Sequence, residues 1–583
     1  MKHARDIAPL LLSDHQLGLY PQCRELVDLV TGPTETSSAG YPYISESSFC
    51  TFIARVPHLY QYGQYVLTWL RQLEQCVNSM EDLHTQEVES IARSVRVLRN
   101  VVYTAGVTAT PDLWLMRQVL SAYAETGILA RLAAGEVVDP ETADGFDAKQ
   151  LHMDFKFMRS RGYLQLKGSG FSVVDDENIK HLFATTTPLP RDFLNDAMDR
   201  MHEDTFADAF LPVPIHRKQV TWIALGHELE IGYRLLPFVL AYSRQLRSLK
   251  MGDSLNTLTE PAQVLLEKAG LQEDGRVTEL GVRVFQRGPG PFGIIGAYHP
   301  YMTQLTSFIG GSDTRAWVNR GANVTASQDA NRKTFSLAND ALDRFCVDTG
   351  FEFNVFIEHA VGRGEATRQR FERSSAKQIH YFGADLEDAA IDRALQAQSD
   401  GQLPANMQFI RKADIAEPQL VVAALEAFGQ QPRGAVMMVG NGFHEVRNQS
   451  NEHMVDVFSG YAKAGIVLVF TEESALSDED LIHTAWNTYH AGFRYVHELS
   501  GQGLRPADER PGKTSVYSWR RCAEEAGYVC LEAYTSRTRT IYPYPRAKGY
   551  NPAISVTHFC VPADLAIELG LQASLINSDS DRV

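Results

Sequence analysis

His444 and Gln449 are the side chains here whose types and placement most directly offer chemistry. They stand in Ala435-Val-Met-Met-Val-Gly-Asn-Gly-Phe-His-Glu-Val-Arg-Asn-Gln449, a buried-strand pattern that runs into a turn loosened by Gly440 and Gly442. The turn would present His444, Glu445, Arg447 and Gln449 above a sheet edge. An imidazole nitrogen and a carboxamide oxygen suit a divalent first-row metal such as iron or manganese. Two ligands are too few for tight binding, so a chelating substrate or a third ligand is required. His490, in Trp486-Asn-Thr-Tyr-His-Ala-Gly-Phe-Arg494, is the candidate. The alternatives are a metal-free general base at His444 or a loop histidine held by hydrogen bonds. Arg447 is counted with the catalytic set. Tyr298 and His299, in the glycine- and aromatic-rich stretch 288–311, are candidates for substrate contact, as is His490.

A second constellation points to a nucleotide-like cofactor. Val355-Phe-Ile-Glu-His-Ala-Val-Gly-Arg-Gly364 is a strand followed by a glycine-bearing turn, which lets backbone N–H groups approach a ligand. Sites for S-adenosylmethionine favour an acidic residue followed by a loose GxGxG. Here Glu358 is the acid, Ala360 stands in place of the first glycine, and Gly362 and Gly364 are the others. Asp385 follows the next strand, where a carboxylate grips ribose hydroxyls. Asp414 follows the third strand and suits the adenine amino group. Asn441, in the turn before His444, belongs with the cofactor contacts. Each acid alone is commonly a helix cap or a surface residue. Acids at the carboxyl ends of successive strands are a cofactor pattern.

The elements that must position these residues are legible in the hydrophobic pattern. Apolar runs near 353–358, 379–384, 407–411, 434–439, 465–471, 527–533 and 553–560 read as strands, with helical periodicity between most of them. Alternation of this kind predicts an α/β fold, a largely parallel sheet with helices on both faces. The last two strands follow one another without a full helix, so an antiparallel edge is expected. The order suits a class I, Rossmann-like, seven-stranded methyltransferase domain over 335–583. Residues 1–150 read as a helical domain. Residues 151–334 read as a winged-helix-like or lid region: helix-then-hairpin patterns recur at Phe155–Val173 and Leu258–Phe285. Such motifs often bind DNA, but here a structural use is the better reading.

Bulk composition narrows the classes. At 583 residues, roughly three or four domains of about 150 residues are expected. A net charge of −16 argues against a nucleic-acid partner, whose binding requires phosphate neutralisation. No apolar run reaches the ~20 residues of a bilayer span, and the short Leu10–Leu12 run does not make a signal peptide. Seven cysteines without a CxxC pair give no structural zinc site and fit reduced thiols. A cytoplasmic enzyme with no membrane partner is expected.

Several segments together resemble one enzyme group. Gly440–Gln449, Phe470-Thr-Glu-Glu-Ser-Ala-Leu-Ser477, Ala485–Arg494, Gly501-Gln-Gly-Leu-Arg-Pro506 and Arg320–Arg332 resemble the mononuclear iron-dependent C-methyltransferase domains of polyketide synthase loading modules, of the apratoxin, gephyronic acid and saxitoxin kind. The resemblance extends over most of the chain. It implies methylation of the α-carbon of a malonyl-type unit, free or on an acyl-carrier protein, in natural-product biosynthesis. It would place His444 and Gln449 on the metal, with Glu358, Gly362, Gly364, Asp385 and Asp414 around S-adenosylmethionine. The rival expectations are a metal-free O- or N-methyltransferase for a small molecule, and a winged-helix regulator that senses a ligand.

Overall fold

The computed structural model describes residues 29–32, 34–36, 42–55, 59–78, 85–189, 223–312, 316–318, 320–374, 378–482, 488–509, 515–538 and 553–571. Ala485, Trp486 and Asn487 of the motif quoted above lie outside them, as do the side chains of 320–331 and the Leu10–Leu12 run. The chain divides into two compact units where the sequence pattern reads as three segments. The first comprises 1–319, 477–499 and 540–551; the second comprises 320–476, 500–539 and 552–583. The stretch 477–499, expected within the cofactor domain, therefore belongs to the other unit.

The first unit is mainly helical. Its longest helix, Thr85–Thr126, carries Pro111 in its interior and packs against Leu59–Asn78 and Gly226–Ala241. An antiparallel pair, β1 (Thr34–Thr36) and β2 (Pro42–Ile44), lies near its start. Both expected helix-then-hairpin patterns are present. Helix Ala148–Ser160 precedes the hairpin of β3 (Leu164–Lys167) and β4 (Gly170–Val173). Helix Glu260–Lys268 precedes β5 (Gln272–Glu273) and β6 (Arg276–Val277).

Buried carboxylates tie the inserted stretch into this unit. Asp154 accepts hydrogen bonds from Tyr123 Oη at 2.8 Å, Gln150 Nε2 at 2.8 Å and Tyr495 Oη at 2.7 Å. Asp112 accepts from the Gly492 N–H at 2.9 Å, and the Arg161 guanidinium lies 3.7 Å away. Burial pushes both acids up to about 7 against these favourable contacts. Phe157 stacks on Tyr495 at 4.8 Å.

The second unit is a doubly wound α/β sheet. Its strands are β7 (Val355–His359), β8 (His380–Asp385), β9 (Gln408–Arg411), β10 (Val436–Gly440), β11 (Val467–Glu473), β12 (Tyr528–Cys530), β13 (Ser536–Arg537) and β14 (Ser555–Pro562). The spatial order is β12-β14-β11-β10-β7-β8-β9, with the two-residue β13 pairing beside β14. Among the described residues the sheet thus has eight strands rather than the expected seven. β7 to β11 are mutually parallel, and β14 runs antiparallel to β11, β12 and β13.

Strand alternation distributes the apolar residues to both faces. Val355, Ile357, Phe382, Val439 and Phe470 face helices Pro418–Ala427, Asn451–Lys463 and Trp519–Glu525. Phe356, Tyr381, Met438 and Val469 face helices Arg320–Thr349, Asp388–Ser399 and Ala563–Glu568. The chain leaves β7 toward β8 and β9, then returns to β10 on the other side of β7. That reversal opens a crevice beyond the carboxyl ends of β7 and β10, where doubly wound sheets bind ligands.

Among the described residues no helix is long and apolar enough to cross a membrane. Among the described residues Cys50, Cys522, Cys530 and Cys560 are free thiols. The Cys530 and Cys560 Sγ atoms lie 3.1 Å apart on the opposed strands β12 and β14.

Candidate functional site

A cavity of about 260 Å³ occupies that crevice, near the lower end of the ~300–1,000 Å³ typical of ligand pockets. Of the residues singled out in the sequence as site candidates, Asp385, Asp414 and Arg447 line it; so do His359, Ala360, Gly442 and Glu445, which were not among those candidates. Ala360, in its lining, holds a positive φ of 57° after β7 without being glycine, and Asn441, next to the lining Gly442, holds one of 56° after β10. Such conformations recur where backbone must meet a ligand. Ala360 holds the place of a glycine in the GxGxG pattern, and its φ explains why that pattern prefers one. Gly442 could not carry a side chain, since a Cβ would come within 2.8 Å of Val439 Cγ1.

Ala360 gives a direct test of this strain. A left-handed alanine costs ~1–2 kcal/mol, and glycine loses about 0.5–1 kcal/mol of that through its greater unfolded-state freedom. Ala360→Gly is therefore expected to raise stability by up to about 1 kcal/mol. A lower denaturant midpoint for the glycine variant would show that the turn is not strained.

The remaining cofactor predictions shape the turn and do not line the cavity. Glu358 is buried on β7. Its carboxylate accepts from the backbone N–H of Ala366 at 3.1 Å and of Thr367 at 2.7 Å, so it clamps the first turn of helix Glu365–Arg373 to the strand. Burial raises its pKa to about 7 despite these bonds. Gly364 takes a φ of 77° and has no room for a Cβ beside Leu403. The Gly362 N–H donates to Asp385 Oδ2 at 3.3 Å, and Glu387 N–H donates to Oδ1 at 3.0 Å. These bonds orient Asp385, whose pKa burial nonetheless raises. Asp414 Oδ1 accepts from the Ala416 N–H at 2.9 Å. Asn441 is tied to the sheet through its N–H, which donates to Thr471 O at 2.8 Å.

His444 sits in the 3₁₀ turn Phe443–Glu445 and is buried. Its Nδ1 lies 2.8 Å from Glu472 Oε2, and the other carboxylate oxygen accepts the Phe443 N–H at 2.5 Å. Glu472 is fully buried near the end of β11. Burial alone would lower the His444 pKa; the Glu472 carboxylate overrides it and holds the imidazole above its ordinary value. A ring whose Nδ1–H is given to a carboxylate presents its lone pair at Nε2. His444 is not among the cavity-lining residues, although its neighbours Gly442, Glu445 and Val446 are.

Glu472 is the partner sequence reasoning missed. The signal was available: it lies in the quoted Phe470–Ser477 motif, on the strand that pairs with β10.

Gln449 turns its carboxamide nitrogen to three backbone carbonyls, Phe443 O, His444 O and Gly503 O, at 3.0, 3.1 and 3.2 Å. This fixes the amide and leaves Oε1 buried without a hydrogen-bond partner among the described residues. Gly503 is required beside it, because a Cβ there would lie 2.9 Å from Oε1. Arg447 Nη1 donates to Ser500 O at 2.9 Å.

Tyr298, His299 and His490 belong to the first unit, whereas His444 and Gln449 belong to the second. The His490 ring stacks on Phe493 at 5.4 Å, with Nδ1 3.3 Å from Thr488 Oγ1. Tyr298 Oη lies 3.5 Å from His497 Nε2, and the His299 ring packs 6.4 Å from Trp114. Among the described residues no group of three or more His, Cys, Asp or Glu side chains is arranged to hold a metal ion.

No protein-family model and no curated protein matches the chain. Solved structures resemble it weakly. The citrinin polyketide synthase CMeT domain is 11% identical, with 89% of this chain and 98% of that one covered at a TM-score of 0.39. The CurJ carbon methyltransferase is also 11% identical, covering 86% and 99% at 0.39. An O-methyltransferase family 2 protein from Planctomyces limnophilus in complex with apigenin is 11% identical, covering 78% and 96% at 0.32. Likeness at this level assigns neither substrate nor chemistry.

Proposed function

We propose that this chain is an S-adenosylmethionine-dependent methyltransferase that methylates an acidified carbon, the α-carbon of a malonyl-type or other 1,3-dicarbonyl unit. The observation that carries the proposal is the buried His444–Glu472 pair, 2.8 Å apart, at the carboxyl ends of β10 and β11 and beside the switch-point cavity. When bound, the cofactor supplies an electrophilic methyl group on a sulfonium. Asp385 offers an acceptor for ribose hydroxyls and Asp414 one for the adenine amino group. His444 takes the proton of the carbon acid at Nε2, and Glu472 stabilises the imidazolium that results. Asp385 and Asp414 would hold the cofactor, which would supply its methyl group to the carbon that His444 has deprotonated. Arg447, at the cavity wall, suits the carboxylate or thioester oxygen of the acceptor. The acceptor is a small molecule or an acyl-carrier-bound group.

One observation favours a second reading, in which a cation assists. The buried Oε1 of Gln449, which has no hydrogen-bond partner among the described residues, and the imidazole of His444 would offer neutral donors that suit iron or manganese. Glu472 would then orient the ligating ring from behind. Such an ion would supply Lewis-acid stabilisation of the acceptor's developing enolate. In this reading Gln449 is a ligand; in the first it only braces the turn.

Incubating the purified protein with S-adenosylmethionine and malonyl-type thioesters, with and without a strong chelator, tests both. Carbon-methylated product that persists after chelation supports the base pair acting alone. Loss on chelation with recovery on added ferrous or manganous ion supports the second reading. Transfer only to hydroxyl or amine acceptors would sink the carbon assignment.

A further inference from the structure

We propose that His359 is a cofactor-contacting residue whose neutral imidazole donates Nε2–H to a ribose hydroxyl already accepted by Asp385. This deepens the methyltransferase reading above and rests on it. His359 ends β7, the strand at the topological reversal, and pairs in register with Ala384 of β8 and Val439 of β10. It lines the cavity and is 2% exposed. Its Nδ1 accepts the backbone N–H of Ala360 at 2.9 Å, a bond made by the left-handed turn at that residue. In the neutral ring the proton then belongs to Nε2. That atom is buried and, among the described residues, has no hydrogen-bond partner.

An unsatisfied buried donor costs ~1–3 kcal/mol and is rarely retained without use. Burial holds the His359 pKa down to about 3, so the ring stays uncharged throughout the physiological range. With Nδ1 occupied and no charge, it is neither a base nor an anion-binding cation. What remains is a neutral donor, and its complement is a neutral oxygen acceptor. The Asp385 carboxylate lines the same cavity one residue beyond Ala384 and can only accept. A hydroxyl group both donates and accepts, so one ribose hydroxyl satisfies Asp385 and His359 together. A sugar bearing only a hydrogen at that carbon would leave both unsatisfied.

Calorimetric titration with S-adenosylhomocysteine, adenosine, 2′-deoxyadenosine and 3′-deoxyadenosine tests this on the whole chain. Wild-type protein is expected to bind one deoxyadenosine about tenfold more weakly than adenosine. His359→Phe is expected to weaken S-adenosylhomocysteine and adenosine binding by about tenfold and to leave that deoxyadenosine unchanged. His359→Gln, which keeps a donor, is expected to stay within about threefold of wild type. His359→Phe binding at wild-type strength, or additive losses from the variant and both deoxy ligands, overturns the inference alone. Should His359→Phe fold poorly, equal binding of adenosine and both deoxyadenosines by wild-type protein overturns it equally well. Absence of any wild-type binding to S-adenosylhomocysteine instead rejects the methyltransferase reading beneath it.

Discussion

His444→Ala is expected to lower kcat by ~10²–10⁴-fold, the usual contribution of a positioned general base, while S-adenosylhomocysteine binds as before. Glu472→Gln is the more informative partner variant, because it keeps the shape of the side chain and removes its charge. The base acts only when neutral, so activity rises with pH as His444 loses its proton. Glu472 holds that proton more tightly than in an ordinary histidine, which places the acid limb of the profile above the usual value near 6.5. Removing the carboxylate lets burial dominate, and the limb should move to lower pH as kcat falls. A pH–rate profile for Glu472→Gln superimposable on wild type would sink the pairing of these residues. The variant also stands to lose some stability, since the Phe443 N–H loses a charged acceptor; thermal melting of the ligand-free variant reads that separately.

Asp385→Ala is expected to act on the other half of the reaction. Hydrogen bonds to a charged group contribute about 1.5–3 kcal/mol, so affinity for S-adenosylhomocysteine should fall by roughly 10–100-fold. At saturating cofactor, kcat should stay within a few-fold of wild type. Asp385→Asn provides the control for local collapse. Its carboxamide oxygen still accepts one of the two backbone bonds, from Gly362 and Glu387, while the charge is gone. An Asp385→Ala protein that binds the cofactor product at wild-type strength would remove this residue from the site.

The strands were readable because a short apolar run is a local signal. Each of the seven runs expected from sequence overlaps an observed strand of the sheet, and the antiparallel edge follows from the absent helix between β12 and β14. The eighth strand, Ser536–Arg537, is two residues long and carries no periodicity to detect. Asp385 and Asp414 were singled out because the ends of strands are where such sheets bind ligands, and both line the cavity.

Glu358 misled for a physical reason. Its place in the pattern points to a ligand, but its carboxylate accepts from the N–H groups of Ala366 and Thr367, and sequence does not distinguish those donors from a ligand's. Glu472 and His359 were missed for the opposite reason. Each sits inside a strand whose neighbours carried the more familiar signal, and only the sheet register brings them to the site. The exchange of 477–499 into the helical unit was equally invisible. It depends on contacts such as Tyr495 to Asp154, 341 residues apart in sequence.

That exchange constrains how this molecule can be taken apart, by an experimenter or by recombination. Among the described residues the polypeptide crosses from one body to the other repeatedly, as at 476/477 and 499/500. A fragment starting at residue 320 would retain Tyr495 and Gly492 while discarding Asp154 and Asp112. Its stranded helix would display Phe493 and Tyr495 to water, inviting self-association. Separating the two bodies therefore requires cutting and rejoining the chain at several points at once.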